Sequence, residues 1–252
     1  MDAPEGEVGA HVVAAGNAAL REDGVCILPG FLRADVIDDL VAECEVLAPL
    51  GHFSQVSGTP YIEAPDHSYP EGHPRRIAEP TSLTAVAYDL FPSDSAIRAL
   101  YEWDPLMEFL SALLDRAPLH RYADPFGALN LAVMNDGDEL HWHFDQTDFV
   151  VSIAIQSSDD GGDFENAKLI RSADDEHYDD VAAVLAGRAP DRVRTEPMTP
   201  GTLMVFEGRN SMHRVTPIKG ARPRYVALLA YDTKPDTDSS ARLKMVRYGR
   251  LP

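Results

Sequence analysis

Leu140-His141-Trp142-His143-Phe144-Asp145-Gln146-Thr147-Asp148-Phe149 is the stretch on which the reading of this chain turns. Successive side chains of an extended strand alternate between faces, so His143 and Asp145 share one face. His141 joins them there on a regular strand, while Trp142 points the other way, toward a core. A histidine and a carboxylate so spaced suit a metal, but they equally suit a satisfied core histidine beside a turn or capping carboxylate. A second imidazole, His213 in Ser211-Met212-His213-Arg214-Val215-Thr216, lies just beyond the apolar run Pro200-Gly201-Thr202-Leu203-Met204-Val205-Phe206. Two imidazoles and one carboxylate on one side of an iron leave its other positions open, as oxygen activation with a bound cosubstrate requires. Arg224 then opens the apolar run Tyr225 to Tyr231. A guanidinium aimed into such an interior is costly to bury unless it meets an anion, and its planar fork matches a carboxylate, which a dicarboxylic cosubstrate supplies. Arg222 is the competitor, but it precedes Pro223 in a turn-like segment and reads more simply as a solvated arginine.

Outward from this stretch the texture is that of short strands. Ala128 to Met134, Phe149 to Ile155, Thr202 to Phe206 and Tyr225 to Tyr231 are β-type runs, separated by turn signals at Asn135-Asp136-Gly137, Gly161-Gly162, Pro200-Gly201 and Gly220 to Pro223. Strands without regularly alternating long helices predict an antiparallel barrel or jelly roll rather than a parallel sheet. Toward the N-terminus, a helical stretch around Val12 to Arg21 leads into a first strand, Gly24 to Pro29. Asp35 is expected to cap a helix whose stripe is Val36, Ile37, Leu40, Val41, Cys44 and Leu47. Gly51 to Pro80 reads as a long loop or short strands, and Asp94 to Arg116 as two helices divided near Pro105. A short helix is expected over Tyr178 to Leu185, and Asp236 to Ser240 reads as a loop. The expectation is one domain over 1–252, with a mostly helical support and lid over 1–127 and the β core over 128–235.

Of the 252 residues, 44% are hydrophobic and 25% charged, which is ordinary globular composition and argues against disorder. Acidic side chains number 41 against 22 basic, a formal charge of −19 that repels phosphate backbones and anionic membranes. The expected partner is therefore a small molecule, with neither nucleic acid nor membrane. No apolar run approaches the roughly 20 residues of a membrane span, and no basic leader stands at the start. Cys26 and Cys44 have neither CxxC spacing nor a framework of pairs, which suits a reducing cytoplasm. Monomer and homodimer both stay open, because no heptad is legible.

The combination of His143-Phe144-Asp145, the distal His213 and Arg224 at the start of the following strand resembles the Fe(II)/2-oxoglutarate-dependent oxygenases. Gly24 to Leu32 is similar to that superfamily's first strand, and Pro200 to Phe206 to the strand leading to its distal histidine. The resemblance implies an α+β, mainly β fold: a double-stranded β-helix (jelly roll, cupin-like) with N-terminal helices packed on the sheet. It further implies that His143, Asp145 and His213 ligate Fe(II), that Arg224 pairs with the distal carboxylate of 2-oxoglutarate, and that dioxygen is consumed. His141 to Phe149, Gly161 to Glu165 and His213 to Pro217 resemble the bacterial branch that contains the radical halogenases of free amino acids. In those halogenases a small residue replaces the metal carboxylate and leaves room for chloride, whereas Asp145 is retained here. Hydroxylation is therefore the implied outcome, with desaturation or ring closure such as cyclopropane formation as variants, on a free amino acid or similar small polar metabolite of bacterial specialised metabolism.

Further contacts are expected from single residues. Asn130, inside a strand, could orient cosubstrate or substrate. Arg75 and Arg76, in a loop of a markedly acidic chain, could hold a substrate carboxylate, and equally read as solvated loop arginines. His141 is expected to face substrate, to stand behind the ligands, or to be a surface imidazole at the strand end. The rival functions are a noncatalytic metal-binding jelly roll, which has no need of a buried Arg224, and a nucleic-acid demethylase, which the acidic charge opposes.

Overall fold

The computed structural model describes residues 6–252. Its strands are β1 (Val25–Leu28), β2 (His52–Gly58), β3 (Glu79–Val86), β4 (His120–Arg121), β5 (Leu129–Met134), β6 (Leu140–His143), β7 (Val150–Gln156), β8 (Phe164–Ala167), β9 (Arg194–Glu196), β10 (Leu203–Phe206), β11 (Met212–Val215), β12 (Arg224–Leu229) and β13 (Tyr231–Asp232). Its α-helices are α1 (Glu7–Asp23), α2 (Ile37–Leu47), α3 (Ala96–Glu102), α4 (Asp104–Leu114), α5 (Tyr178–Leu185) and α6 (Ala241–Tyr248).

Two antiparallel sheets make the jelly roll. The larger has seven strands in the order β1-β10-β7-β12-β5-β3-β2, and the smaller has four in the order β6-β11-β8-β9. Period-two alternation gives the large sheet two different faces. Leu129, Leu131, Val133, Val151, Ile153, Ile155, Leu203, Val205, Tyr225, Ala227 and Leu229 pack against helices, chiefly Leu40, Cys44 and Leu47 of α2 and Leu106, Phe109, Leu110 and Leu113 of α4. The opposite face turns Met134, Met204 and Phe206 toward Phe164 and Val215 of the small sheet.

The helical layer is drawn tight by local chemistry. Asn17 of α1 donates to the carbonyls of Ala112 and Leu113 at 3.0 and 2.6 Å, satisfying the end of α4. Gly16 lets the two helices meet, since a Cβ there would stand 2.2 Å from Leu113 Cδ1. Among the described residues no helix is long and apolar enough to cross a membrane. Cys26 and Cys44 are both free and buried.

Several expectations are corrected. Asp35 does not cap α2; it lies in a 3-10 turn, Ala34–Val36, and pairs with Arg33, so the helix starts from an already coiled backbone. The first half of the chain contributes β1, β2 and β3 to the large sheet, so the β core is not confined to 128–235. The strands β2 and β3, paired at one end of the sheet, bracket the irregular segment 59–78, so the long loop or short strands expected over Gly51 to Pro80 resolve into an edge strand followed by a loop. The chain also adds α6 after the polar loop at Asp236 to Ser240.

Candidate metal centre and cosubstrate cavity

Strand pairing, rather than sequence proximity, builds the centre. In the β6–β11 ladder His143 stands directly opposite His213, and their ring centroids are 4.2 Å apart. Asp145 follows the end of β6, where its backbone N–H donates to the Gly208 carbonyl at 2.9 Å. That contact swings the carboxylate under both rings: Oδ1 is 3.9 Å from His143 Nε2 and Oδ2 is 3.5 Å from His213 Nε2. One ligand atom from each of the three residues lies within 4.8 Å of the others. Gly208 is required here by space, because a Cβ would fall 1.8 Å from Asp145 Oδ2.

Hydrogen bonds behind the rings choose the tautomer. His143 Nδ1 donates to the His141 carbonyl at 2.7 Å, and His213 Nδ1 donates to the Ser211 carbonyl at 3.0 Å. Each Nε2 lone pair is thereby turned toward Asp145, as metal-binding histidines require. Phe164 stacks on the His213 ring and Phe206 meets it edge-on, at centroid distances of 5.5 and 4.7 Å. Burial holds His143 well below the usual imidazole range, and burial likewise pushes the Asp145 carboxyl up. Asp145 Oδ2 is buried without a hydrogen-bond partner. A divalent cation satisfies this donor set: it neutralises the buried carboxylate, accepts both lone pairs and offsets the burial cost. The residues fit the iron that the resemblance implies.

Arg224 lies in the same cavity, of about 260 Å³, enclosed between the two sheets. It is 7% exposed, its hydrogen-bond partner among the described residues is the Met134 sulfur at 3.9 Å, and burial, opposed in part by the charge of Asp163, pulls its pKa down to about 10. Among the described residues it forms no ion pair, so its planar fork awaits an anion. Arg222 is excluded from that role: it is exposed and paired with Asp159 at 3.2 Å. Asn130 also lines the cavity, and its Oδ1 is buried without a partner. Ser152, unnoticed in the sequence, has an equally unsatisfied Oγ and faces the cavity from the other flank of β12, with Leu228 registered against both residues. Tyr122, Thr147, Tyr231 and Arg247 also line the cavity, with no role assigned to them from the sequence.

Three expected residues stand elsewhere. Arg75 is withdrawn from the cavity: it donates to Tyr178 Oη at 2.8 Å, pairs with Glu63 and Glu176, and covers the Tyr61 ring at 4.2 Å. Arg76 pairs with Glu71 at 3.6 Å and donates to the Tyr69 carbonyl. Both arginines therefore fasten the segment 59–78 down, and neither lines the cavity. His141 is buried against Thr81 and the Thr59 carbonyl, so it stands behind His143 and does not line the cavity.

Comparison with known proteins agrees with this geometry. A family model described as Halogenase D matches residues 73–247, which include every ligand candidate and Arg224. The chain belongs to the Halogenase D family. No curated protein matches it. Among solved structures, this family member is similar to a 2OG-Fe(II) oxygenase family oxidoreductase from Burkholderia pseudomallei, at 16% identity and TM-score 0.54 over 93% of this chain and 94% of that one. It is similar to AviO1 from Streptomyces viridochromogenes Tue57, at 20% identity and TM-score 0.58 over 90% and 97% of the two chains. It is similar also to EctD from S. alaskensis, solved with 2-oxoglutarate and 5-hydroxyectoine, at 19% identity and TM-score 0.56 over 92% and 77%. At these identities the likeness is one of fold, and with the family match it places the chain in the Fe(II)/2-oxoglutarate oxygenase superfamily.

Proposed function

We propose that the protein is an Fe(II)- and 2-oxoglutarate-dependent oxygenase that hydroxylates an unactivated C–H bond of a free amino acid or a similar small polar metabolite. The observation that carries this reading is the buried, unpaired Arg224 in the same cavity as His143, Asp145 and His213. A metal store has no use for such an arginine, and a charge of −19 is adverse to a nucleic-acid substrate.

His143, Asp145 and His213 would hold iron, with the carbonyls of His141 and Ser211 fixing the two rings. Bound there, iron would couple oxidative decarboxylation of 2-oxoglutarate by dioxygen to oxidation of the substrate. Arg224 binds the distal carboxylate and so sets which end of the cosubstrate reaches the metal side of the cavity. Asn130 and Ser152 offer an amide and a hydroxyl along its flank. Leu83, Ala132, Leu140 and Val226 exclude water from the reacting carbon. Retention of Asp145 keeps a carboxylate where the resembling halogenases open a place for chloride, which favours hydroxyl over halide as the group delivered.

Anaerobic addition of Fe(II) and 2-oxoglutarate is expected to give the weak visible absorption of their chelate. Asp145→Ala, which leaves the two imidazoles in place, should weaken it, and Arg224→Ala should raise the 2-oxoglutarate concentration needed by roughly 10- to 100-fold. Oxygen and a panel of amino acids should then yield substrate-stimulated succinate. No chelate under verified iron loading would overturn the proposal and leave a metal-binding jelly roll.

A further inference from the structure

Charge is distributed unevenly between the cavity and the rest of the molecule. Among the described residues that line it, Asp145 is the one acid, facing two arginines, Arg224 and Arg247, in a chain of net charge −19. A divalent metal on two neutral imidazoles and one carboxylate retains a single positive charge, and the two guanidiniums add theirs. The 2-oxoglutarate dianion matches two of these three charges, and Arg224 is the partner buried deepest for it. One positive charge is left over, on Arg247.

Arg247 is held where an incoming molecule would meet it. It is half-buried on α6, lines the cavity, and its charge is felt at both His143 and Asp145. The helix beneath it is clamped along its whole length. Ser240 caps its start, accepting from the Leu243 N–H at 3.2 Å. Lys244, buried one turn before Arg247, pairs with Asp238 at 2.5 Å and Asp124 at 3.7 Å. Tyr248 packs on Phe126, and Arg250 makes two hydrogen bonds to Asp89 at 2.8 and 2.7 Å. Arg250 and Lys244 thus have acidic partners, whereas Arg247 has none among the described residues. A preordered cation without an internal anion loses little entropy on meeting one.

We propose that Arg247 determines substrate choice by binding the single carboxylate of a small monoanion, whose aliphatic body lies along Leu83, Ala132, Leu140, Met204 and Val226 toward the metal. The assignment rests on the oxygenase reading above. It also narrows that reading, because no second carboxylate lines the cavity to receive an ammonium group. The amino group of an amino acid therefore gains no ion pair among the described residues of the cavity.

The test uses full-length protein, anaerobic, with Fe(II) and saturating 2-oxoglutarate, in the wild type, Arg247→Gln and Arg247→Lys. Hexanoate, hexanamide and norleucine are titrated, reading the shift of the chelate absorption and the dissociation constant by calorimetry. Hexanoate should bind the wild type at least tenfold more tightly than hexanamide, and norleucine no more tightly than hexanoate. Arg247→Gln should remove that preference with the chelate intact, and Arg247→Lys should keep part of it. Equal binding of acid and amide in the wild type, no binding of hexanoate, or a preference that survives in Arg247→Gln would overturn the inference while leaving the oxygenase reading standing. Loss of the chelate in Arg247→Gln alone would overturn it by assigning the residue to 2-oxoglutarate. Absence of the chelate in the wild type would sink the oxygenase reading and this inference together.

Discussion

The same strands of the large sheet serve two purposes on their two faces. The helix-facing residues of β5, Leu129, Leu131 and Val133, are large, apolar and buried against α2 and α4. Their neighbours one position along, Asn130, Ala132 and Met134, line the cavity with a polar, a small and a flexible side chain. The contrast recurs on β7, where Val151 and Ile153 belong to the core but Ser152 keeps an unsatisfied hydroxyl on the other side. Stability is concentrated on one face, so the other can tolerate open space, unpaired polar atoms and a buried guanidinium, each of which costs free energy in isolation.

Substitutions on the two faces should separate these roles. The largest effect belongs to His213→Ala, which should remove a ligand and lower succinate formation by more than about 100-fold, with iron content falling in parallel. Leu131→Ala, on the helix face, should cost about 2–5 kcal/mol of folding stability in a denaturant titration while sparing the chelate absorption of the protein that remains folded. Gly208→Ala should displace the Asp145 carboxylate and weaken iron binding by roughly 10-fold, with the denaturation midpoint little changed. Ser152→Ala should be smallest, shifting stability by less than about 0.5 kcal/mol, since its Oγ has no partner to lose. A large stability loss from Ser152→Ala, or a selective chelate loss from Leu131→Ala, would break the division of labour between the faces.

Much of this was legible before coordinates, for identifiable reasons. Apolar alternation and turn residues marked β5, β7, β10 and β12, because each is buried on the helix side. The strand β2 stayed undecided between loop and short strand, since at the sheet edge its residues are mostly exposed and carry little periodic signal. His143, Asp145 and His213 were readable from residue type and order, and Arg224 from the cost of burying it. The ion pairs of Arg75 and Arg76 were not legible, because local sequence does not show Glu63, Glu71 and Glu176 arriving as their partners. Gly208 and Arg247 had no local signal at all, as each acquires meaning only through a tertiary neighbour.

The register that sets His143 opposite His213 also orders events in time. A nascent chain presents His143 and Asp145 before residues 146–212 have been made, and two ligands grip a metal weakly. Full affinity appears when the β6–β11 ladder closes, a non-local pairing that spends loop-closure entropy before any metal can reward it. Iron would then act as a latch that engages after the transition state rather than as a template that guides the chain to it. Rising iron concentration should slow the unfolding limb of a chevron and raise the melting temperature, with the folding limb nearly unmoved.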